Sequence, residues 1–329
     1  MPDVLISIKN LKTNFYTYAG VVKALDGINL DIYRGETIGL VGETGCGKSV
    51  TALSIIRLIQ WPPGRIDEGS ITYDGKDLLK LPDKEMRQIR GNKISMIFQE
   101  PMHSFNPIFT IGDQIAEVLM LHQKLDHSAA RAKAIEMLKL TGLPAPERVA
   151  DSHPHELSGG MLQRAMIAMA LSCKPALLIA DEPTTALDVT IEAQILALMK
   201  DLKEKTGSTI LIITHDLGVI AEICDRVGVM YAGNIVELAD VETIYRQPSH
   251  PYTNGLISAI PKLSTHRESR LETIPGSVPN LIYPPTGCRF HPRCSKAMEK
   301  CKQEKPGVYR LGKDHMVSCF LYEDHEKVS

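Results

Sequence analysis

Gly42-Glu43-Thr44-Gly45-Cys46-Gly47-Lys48-Ser49 fits the pattern G-x-x-x-x-G-K-[ST], and its reading decides the fold. Its flanks supply the context. Thr37-Ile38-Gly39-Leu40-Val41 is an apolar run that predicts a buried strand, while Val50 to Ile59 carries apolar residues at helical spacing. A strand, a glycine-rich turn and a helix in that order mark a phosphate-binding loop. Glycines let the backbone fold back until successive N–H groups point inward at an anion. The helix start adds its own free N–H groups and a partial positive charge. Lys48 then reaches the β- and γ-phosphates, and Ser49 offers its hydroxyl to Mg²⁺. Gly42 through Ser49, with Val50 behind them, form the expected cradle of a nucleoside triphosphate.

The chain has 329 residues, enough for about two domains with a full core. Apolar residues make up 43%, as in ordinary globular proteins, and the net charge of −2 gives no global basic bias toward nucleic acid. Residues Met1 to Asn10 read as a first strand rather than a basic n-region and apolar core, and no window of about 18 apolar residues exists to span a bilayer. The seven cysteines are an odd number, and without an export signal they argue against a disulfide framework. A cytoplasmic location is the expectation.

Before the loop, residues 1 to about 35 alternate apolar and polar positions, which predicts antiparallel strands. After it, Ser70 to Lys76 reads as a strand with a turn, and Lys93 to Phe98 as a buried strand ending at Gln99. From about 102 to 165 the pattern becomes helical. Asp126 suits an N-cap and Gly142 a C-cap, with Ala134, Met137 and Leu138 on one face between them. Apolar runs return at Ala176 to Ala180 and Thr209 to Ile213, as in parallel strands covered on both faces. The sum is an α/β core with an antiparallel β subdomain and a helical insert. Val227 to Leu238 looks like a closing hairpin. Beyond about 260 the prolines Pro275, Pro279, Pro284 and Pro285 precede four clustered cysteines, which places a boundary between residues 1–260 and a small irregular extension, 261–329.

Three further stretches carry chemistry. The apolar run Leu177 to Ala180 ends in Asp181-Glu182. Asp181 at a strand end suits Mg²⁺, held through water, and Glu182 is placed to orient or deprotonate an attacking water. Ser158-Gly159-Gly160 feeds a long apolar helix and so makes a second anion-accepting helix start. In the tail, Cys288, Cys294, Cys301 and Cys319 bring four thiols into a short polar segment, a composition that more often holds metal than pairs or sits inert.

Taken in order, Gly42 to Ser49, Gln99, Leu157-Ser158-Gly159-Gly160, Asp181-Glu182, Ala186-Leu187-Asp188 and His215 resemble the Walker A, Q-loop, signature, Walker B, D-loop and switch histidine of an ABC-type ATPase. The resemblance covers residues 4 to 255. It implies ATP and Mg²⁺ as cofactors and a head-to-tail pair of nucleotide domains, in which Ser158, Gly159 and Gly160 contact the γ-phosphate bound by the other subunit, with the D-loop Asp188 also among the nucleotide-binding residues. It further implies that His215 holds the γ-phosphate and the water, and that Gln99 senses the γ-phosphate through Mg²⁺ or water. Adenine would stack on an early aromatic residue, with Tyr18 the choice and Phe15 and Tyr16 its competitors. Met161 stands where the signature commonly has Gln, a departure away from the phosphate contacts.

Pro248-Ser249-His250-Pro251-Tyr252-Thr253 and the segment to Pro261 are similar to the C-terminal extension of ATP-binding subunits of oligopeptide and dipeptide ABC importers. That implies two transmembrane permease subunits, an extracytoplasmic binding protein and a place on the cytoplasmic face of the membrane. Here the Pro and Tyr residues read as a rigid turn with no chemical role. The same group implies a [4Fe–4S] cluster on the four cysteines, with zinc or no metal as the other readings. A soluble ABC ATPase acting on nucleic acid or ribosomes remains the alternative class, although it tends to carry fused domains or a long coiled-coil insert. Nickel and glycosides remain open as cargo, since other subunits select it.

Overall fold

The computed structural model describes residues 3–184, 188–260 and 273–328. They gather into two compact units, one of Met1–Asp3, Tyr33–Thr37 and Lys80–Ile213, the other of Val4–Ile32, Ile38–Leu79 and Thr214–Ser329.

In the first unit the strands Ile94–Ile97, Leu177–Asp181 and Thr209–Ile213 run parallel, with Ile94 beside Leu177 and Asp181 beside Ile213. The latter two strands are buried along their whole length, which is why they read as unbroken apolar runs instead of alternating ones. The helical insert follows the strand Ile94–Ile97. Its helices include Ile111–Gln123, His127–Leu140, Pro146–Asp151 and the start of Gly159–Leu171. Asp126 caps His127–Leu140 by accepting the Ala129 N–H, as expected. Thr141 is the C-cap, and Gly142 follows it in the left-handed region with φ 71°, where a helix end favours glycine. Ala134, Met137 and Leu138 are buried, and Arg131 ties the insert together by pairing with both Asp113 and Asp151.

The second unit holds a four-stranded sheet in the order Gly20–Tyr33, Val4–Thr17, Gly64–Tyr73 and Lys76–Asp77. Val4–Thr17 and Gly64–Tyr73 are antiparallel, with Ile8 opposite Ile71, and the register shifts between Lys9 and Lys12. Leu5, Ile6, Ile8, Leu25, Ile28 and Ile71 fill its core. In the same unit Thr37–Val41 pairs in parallel with Arg226–Tyr231, which turns back into Asn234–Asp240 as the expected hairpin.

The tail departs from the sequence expectation of an irregular extension. Met316–Val317 adds to the edge of Asn234–Asp240, with Val317 opposite Glu237. Val308–Arg310 and Glu326–Val328 follow in antiparallel pairing. These strands are two or three residues long, too short to show a period, so only their partners identify them.

Candidate nucleotide-binding site

The phosphate loop sits where the buried strand Thr37–Val41 gives way to the helix Lys48–Ile55. Gly42 has φ 151°, and a Cβ there would stand 2.2 Å from the Met230 carbonyl oxygen. Gly47 has φ 108°, and a Cβ would come within 2.9 Å of the Ala24 carbonyl. Both glycines are therefore demanded by backbone conformation and by close approach. No side chain caps the helix start and no acidic residue occupies its first turn, so nothing there opposes the positive end of the helix dipole, which favours an anion. Lys48 is 6% exposed, and its Nζ donates to the carbonyls of Gly42 at 2.8 Å and Glu43 at 3.4 Å. Burial pushes the Cys46 thiol up despite the nearby lysine, so this cysteine fills space behind the loop. Thr44 and Gly45 are exposed at the mouth, and Ser49 and Val50 are half-buried.

Residues outside the loop hold Glu43 from both sides. Its backbone N–H donates to the Tyr252 hydroxyl at 3.0 Å, and its carboxylate pairs with Arg293. Tyr252 is fully buried against Tyr231, with ring centroids 4.7 Å apart. The stretch around Pro251 is thus more than the rigid turn expected from sequence. Nothing local in the sequence signals that Tyr252 and Arg293 reach the loop, because the partners are 209 and 250 residues apart.

Tyr18 lies in the turn between Val4–Thr17 and Gly20–Tyr33 and is fully exposed. Its competitors are occupied: Tyr16 donates to Asp67 at 2.9 Å and meets Trp61 edge-on, and Phe15 is half-buried. His215 is exposed just after Thr214, whose N–H donates to the Leu40 carbonyl at 3.2 Å.

In the other unit, Asp181 is 5% exposed at the end of its strand. Glu182 follows with φ 46°, an uncommon conformation for a non-glycine residue, and its N–H donates to the Ile213 carbonyl at 2.8 Å. Strain of this kind costs about 1–3 kcal/mol and concentrates at working sites. Gln99 Nε2 donates to the Glu182 carboxylate at 3.0 Å, so two residues singled out for different roles are brought together. Ser158 caps Gly159–Leu171 by accepting the Met161 N–H at 3.4 Å. Ser158 and Gly159 are exposed, and a Cβ on Gly159 would meet nothing within 4 Å. Asp188 caps Val189–Thr206 and is also exposed. Ala186 and Leu187 lie outside the described residues.

The four tail cysteines are unpaired thiols. Cys288 donates its N–H to the Cys301 carbonyl at 2.8 Å. Burial, foremost, pushes the thiols of Cys288, Cys294 and Cys319 up, Cys319 to about 11, and neighbouring thiolates add to the rise; Cys319 feels all three others. The thiols therefore share one region, yet among the described residues no three His, Cys, Asp or Glu side chains stand close enough to hold a metal ion. The metal-binding character expected of the extension is not a feature of this structure. Among the described residues no helix is long and apolar enough to cross a membrane.

Two family models match the chain: ABC transporter over residues 25–185, and oligopeptide/dipeptide transporter, C-terminal region, over residues 236–301. A solved dimer of the ATP-binding cassette MJ0796, in a post-hydrolysis state bound to ADP and Pi, superposes with a TM-score of 0.65 at 30% identity, covering 72% of this chain and 98% of that one. Fold and site together define an ABC ATPase, whose hydrolysis is coupled to transport. The oligopeptide transport ATP-binding protein AppD of Bacillus subtilis (strain 168) is 51% identical over 322 residues, 98% of each chain. The dipeptide transport ATP-binding protein DppD of the same organism is 48% identical over 321 residues, 98% of this chain and 96% of its own. The chain belongs to the family of ATP-binding subunits of oligopeptide/dipeptide ABC transporters.

Proposed function

We propose that ATP hydrolysis by this chain powers the import of dipeptides or oligopeptides, with the chain at the cytoplasmic face of the membrane. One observation carries the cargo assignment: identity of about half to peptide-transport ATP-binding proteins extends over 98% of the chain. Lys48 and the N–H groups at the start of its helix bind the β- and γ-phosphates. Ser49 and, through water, Asp181 hold Mg²⁺. Glu182 orients and deprotonates the attacking water, His215 steadies water and γ-phosphate, and Gln99 senses the γ-phosphate. The hydrogen bond from Gln99 to Glu182 supports a link between sensing and the catalytic carboxylate. Tyr18 stacks on adenine, which its exposed ring favours.

A second ABC ATPase subunit, identical or related, joins head to tail. Ser158, Gly159, Gly160 and Asp188 then serve the ATP bound by the other subunit, a role that the exposure of Ser158, Gly159 and Asp188 suits. Two membrane permease subunits receive the motion, and an extracytoplasmic binding protein delivers the peptide. Residues 1–260 form the nucleotide-binding domain and 261–329 the extension. In vesicles holding the chain and its permease subunits, peptide with its binding protein stimulates ATP turnover and is taken up, and Lys48→Ala abolishes both. Turnover stimulated by nickel or a glycoside but by no peptide would reassign the cargo.

The same reading extends to the tail. Four thiols without a carboxylate form a soft donor set that suits a [4Fe–4S] cluster on Cys288, Cys294, Cys301 and Cys319, with zinc as the alternative. Such a centre would tie the tail loops together and supply folding free energy. Its role is structural, since the catalytic set is complete without it. Protein purified without oxygen contains iron and sulfide, and Cys294→Ser loses both. Stoichiometric zinc without iron would make it a zinc site, and a folded, metal-free tail would remove both readings.

A further inference from the structure

Between Cys288 and Cys294 the tail sends one side chain back to the phosphate loop. The Arg293 side chain is 5% exposed. Its Nη1 and Nη2 donate to the two oxygens of Glu43 at 2.6 and 3.0 Å, a bidentate fork. The remaining donors are used too: Nε bonds the Pro275 carbonyl at 2.8 Å, and Nη2 also reaches the Ile274 carbonyl at 3.3 Å. Nη1 lies 3.5 Å from the Tyr231 hydroxyl, and the guanidinium stands 5.7 Å from the centre of that ring. Tyr231 packs edge-on against Phe290 at 5.0 Å, which seats the tail against the same cluster as Tyr252. Arg293 is therefore fixed before it meets Glu43.

Glu43 is an awkward residue for its place. It occupies the second position of a loop whose other features gather partial positive charge for a polyphosphate. An unpaired carboxylate there would repel the ligand, and it would do so strongly because the surroundings are partly buried. We propose that Arg293 is a positioning residue of the ATP site: it neutralises Glu43 and steadies the phosphate loop, which makes the four-cysteine tail a working part of nucleotide binding. The inference rests on the assignment of Gly42 to Ser49 as the nucleotide site.

Two effects are separable by experiment, because tethering needs both partners whereas neutralisation needs only that the carboxylate be silenced. Binding of a fluorescent ATP analogue with Mg²⁺ is measured on the full chain, with thermal melting as the check on folding. Arg293→Ala weakens binding about tenfold or more, as expected when a charge-assisted pair is broken. KM for ATP rises by a larger factor than kcat falls. Arg293→Lys retains part of the affinity, since it keeps the charge and loses the fork. Adding Glu43→Gln to Arg293→Ala restores most of the affinity, which loss of a merely structural contact would not permit. Should Arg293→Ala fail to fold, Arg293→Lys decides the matter: it binds more weakly than the native chain, and native affinity overturns the proposal. Unchanged affinity in a folded Arg293→Ala, or no recovery in the double variant, overturns it as well. Lys48→Ala is the control. If that variant still binds the analogue, the site assignment fails; if it loses binding while Arg293→Ala does not, only the role of Arg293 fails.

Discussion

At the scale of single residues, two side chains make opposite demands on their surroundings. Glu182 is held in a costly backbone conformation with its carboxylate tied to Gln99. Glu182→Gln keeps that contact and removes the carboxylate proposed to accept the proton. Nucleotide binding should persist while steady-state hydrolysis falls about 10²–10⁴-fold, and a loss smaller than about threefold would remove Glu182 from the role of base. His250 is buried and accepts the Tyr252 N–H at Nδ1, which requires a neutral ring. Burial pulls its pKa down to about 4, against the opposing pull of Glu237. The unfolded chain takes up its proton near pH 6.5 and the folded chain only near 4. This contribution to stability is therefore complete above pH 6.5 and declines as the pH falls toward 4, by about 1.4 kcal/mol per unit. Denaturant melts of His250→Asn, which keeps the cap and cannot titrate, should show a shallower decline across that window than the native chain. Equal slopes would place the acid sensitivity elsewhere.

Among elements, the tail strands have the clearest measurable weight. Glu237 is 1% exposed and accepts from the N–H groups of Ser249 and His250 and from His315 at 2.8 Å. Burial would raise its carboxyl, but these hydrogen bonds, that of His315 foremost, bring it below the usual range. Ending the chain at residue 260 removes His315, strips Met316–Val317 from the edge of Asn234–Asp240 and uncovers Tyr231 and Tyr252. The shortened chain should melt several degrees lower and bind more of a hydrophobic dye, because it bares an unpaired edge and aromatic surface together. An unchanged melting temperature would contradict this packing. The legibility of elements follows the same physics. Leu177–Asp181 and Thr209–Ile213 announce themselves because burial on both faces leaves no polar position, and Asp126 because a cap is a local bargain with the next turn. Met316–Val317 is silent, since its partner strand lies some 80 residues earlier in the chain.

For the whole molecule, the motifs are readable because each is a short run whose residue types suit a phosphate or a metal. Their order along the chain identifies the class more firmly than any single one. What joins them is not local. The Gln99–Glu182 bond and the hold of Tyr252 and Arg293 on Glu43 depend on how distant segments return, and no spacing rule encodes that. Assembly offers a test at this scale. A Lys48→Ala chain and a Ser158→Arg chain should each be inactive alone, one for lack of a phosphate loop and the other for a blocked signature. Mixed, they share one intact composite site, and ATP turnover should reappear in proportion to the mixed dimer. Failure to complement under conditions where the dimer forms would mean that Ser158 does not act across the interface.

The pairing of Glu43 with Arg293 also has a timetable. The two residues are 250 positions apart, so at roughly 5–20 residues per second the arginine is synthesised about 10–50 s after the carboxylate. Throughout that interval Glu43 has no Arg293 to pair with, which on the proposal above lowers the affinity of the nascent loop for nucleotide. On the same proposal, full affinity for the nucleotide arrives only with the segment that also carries the cysteines.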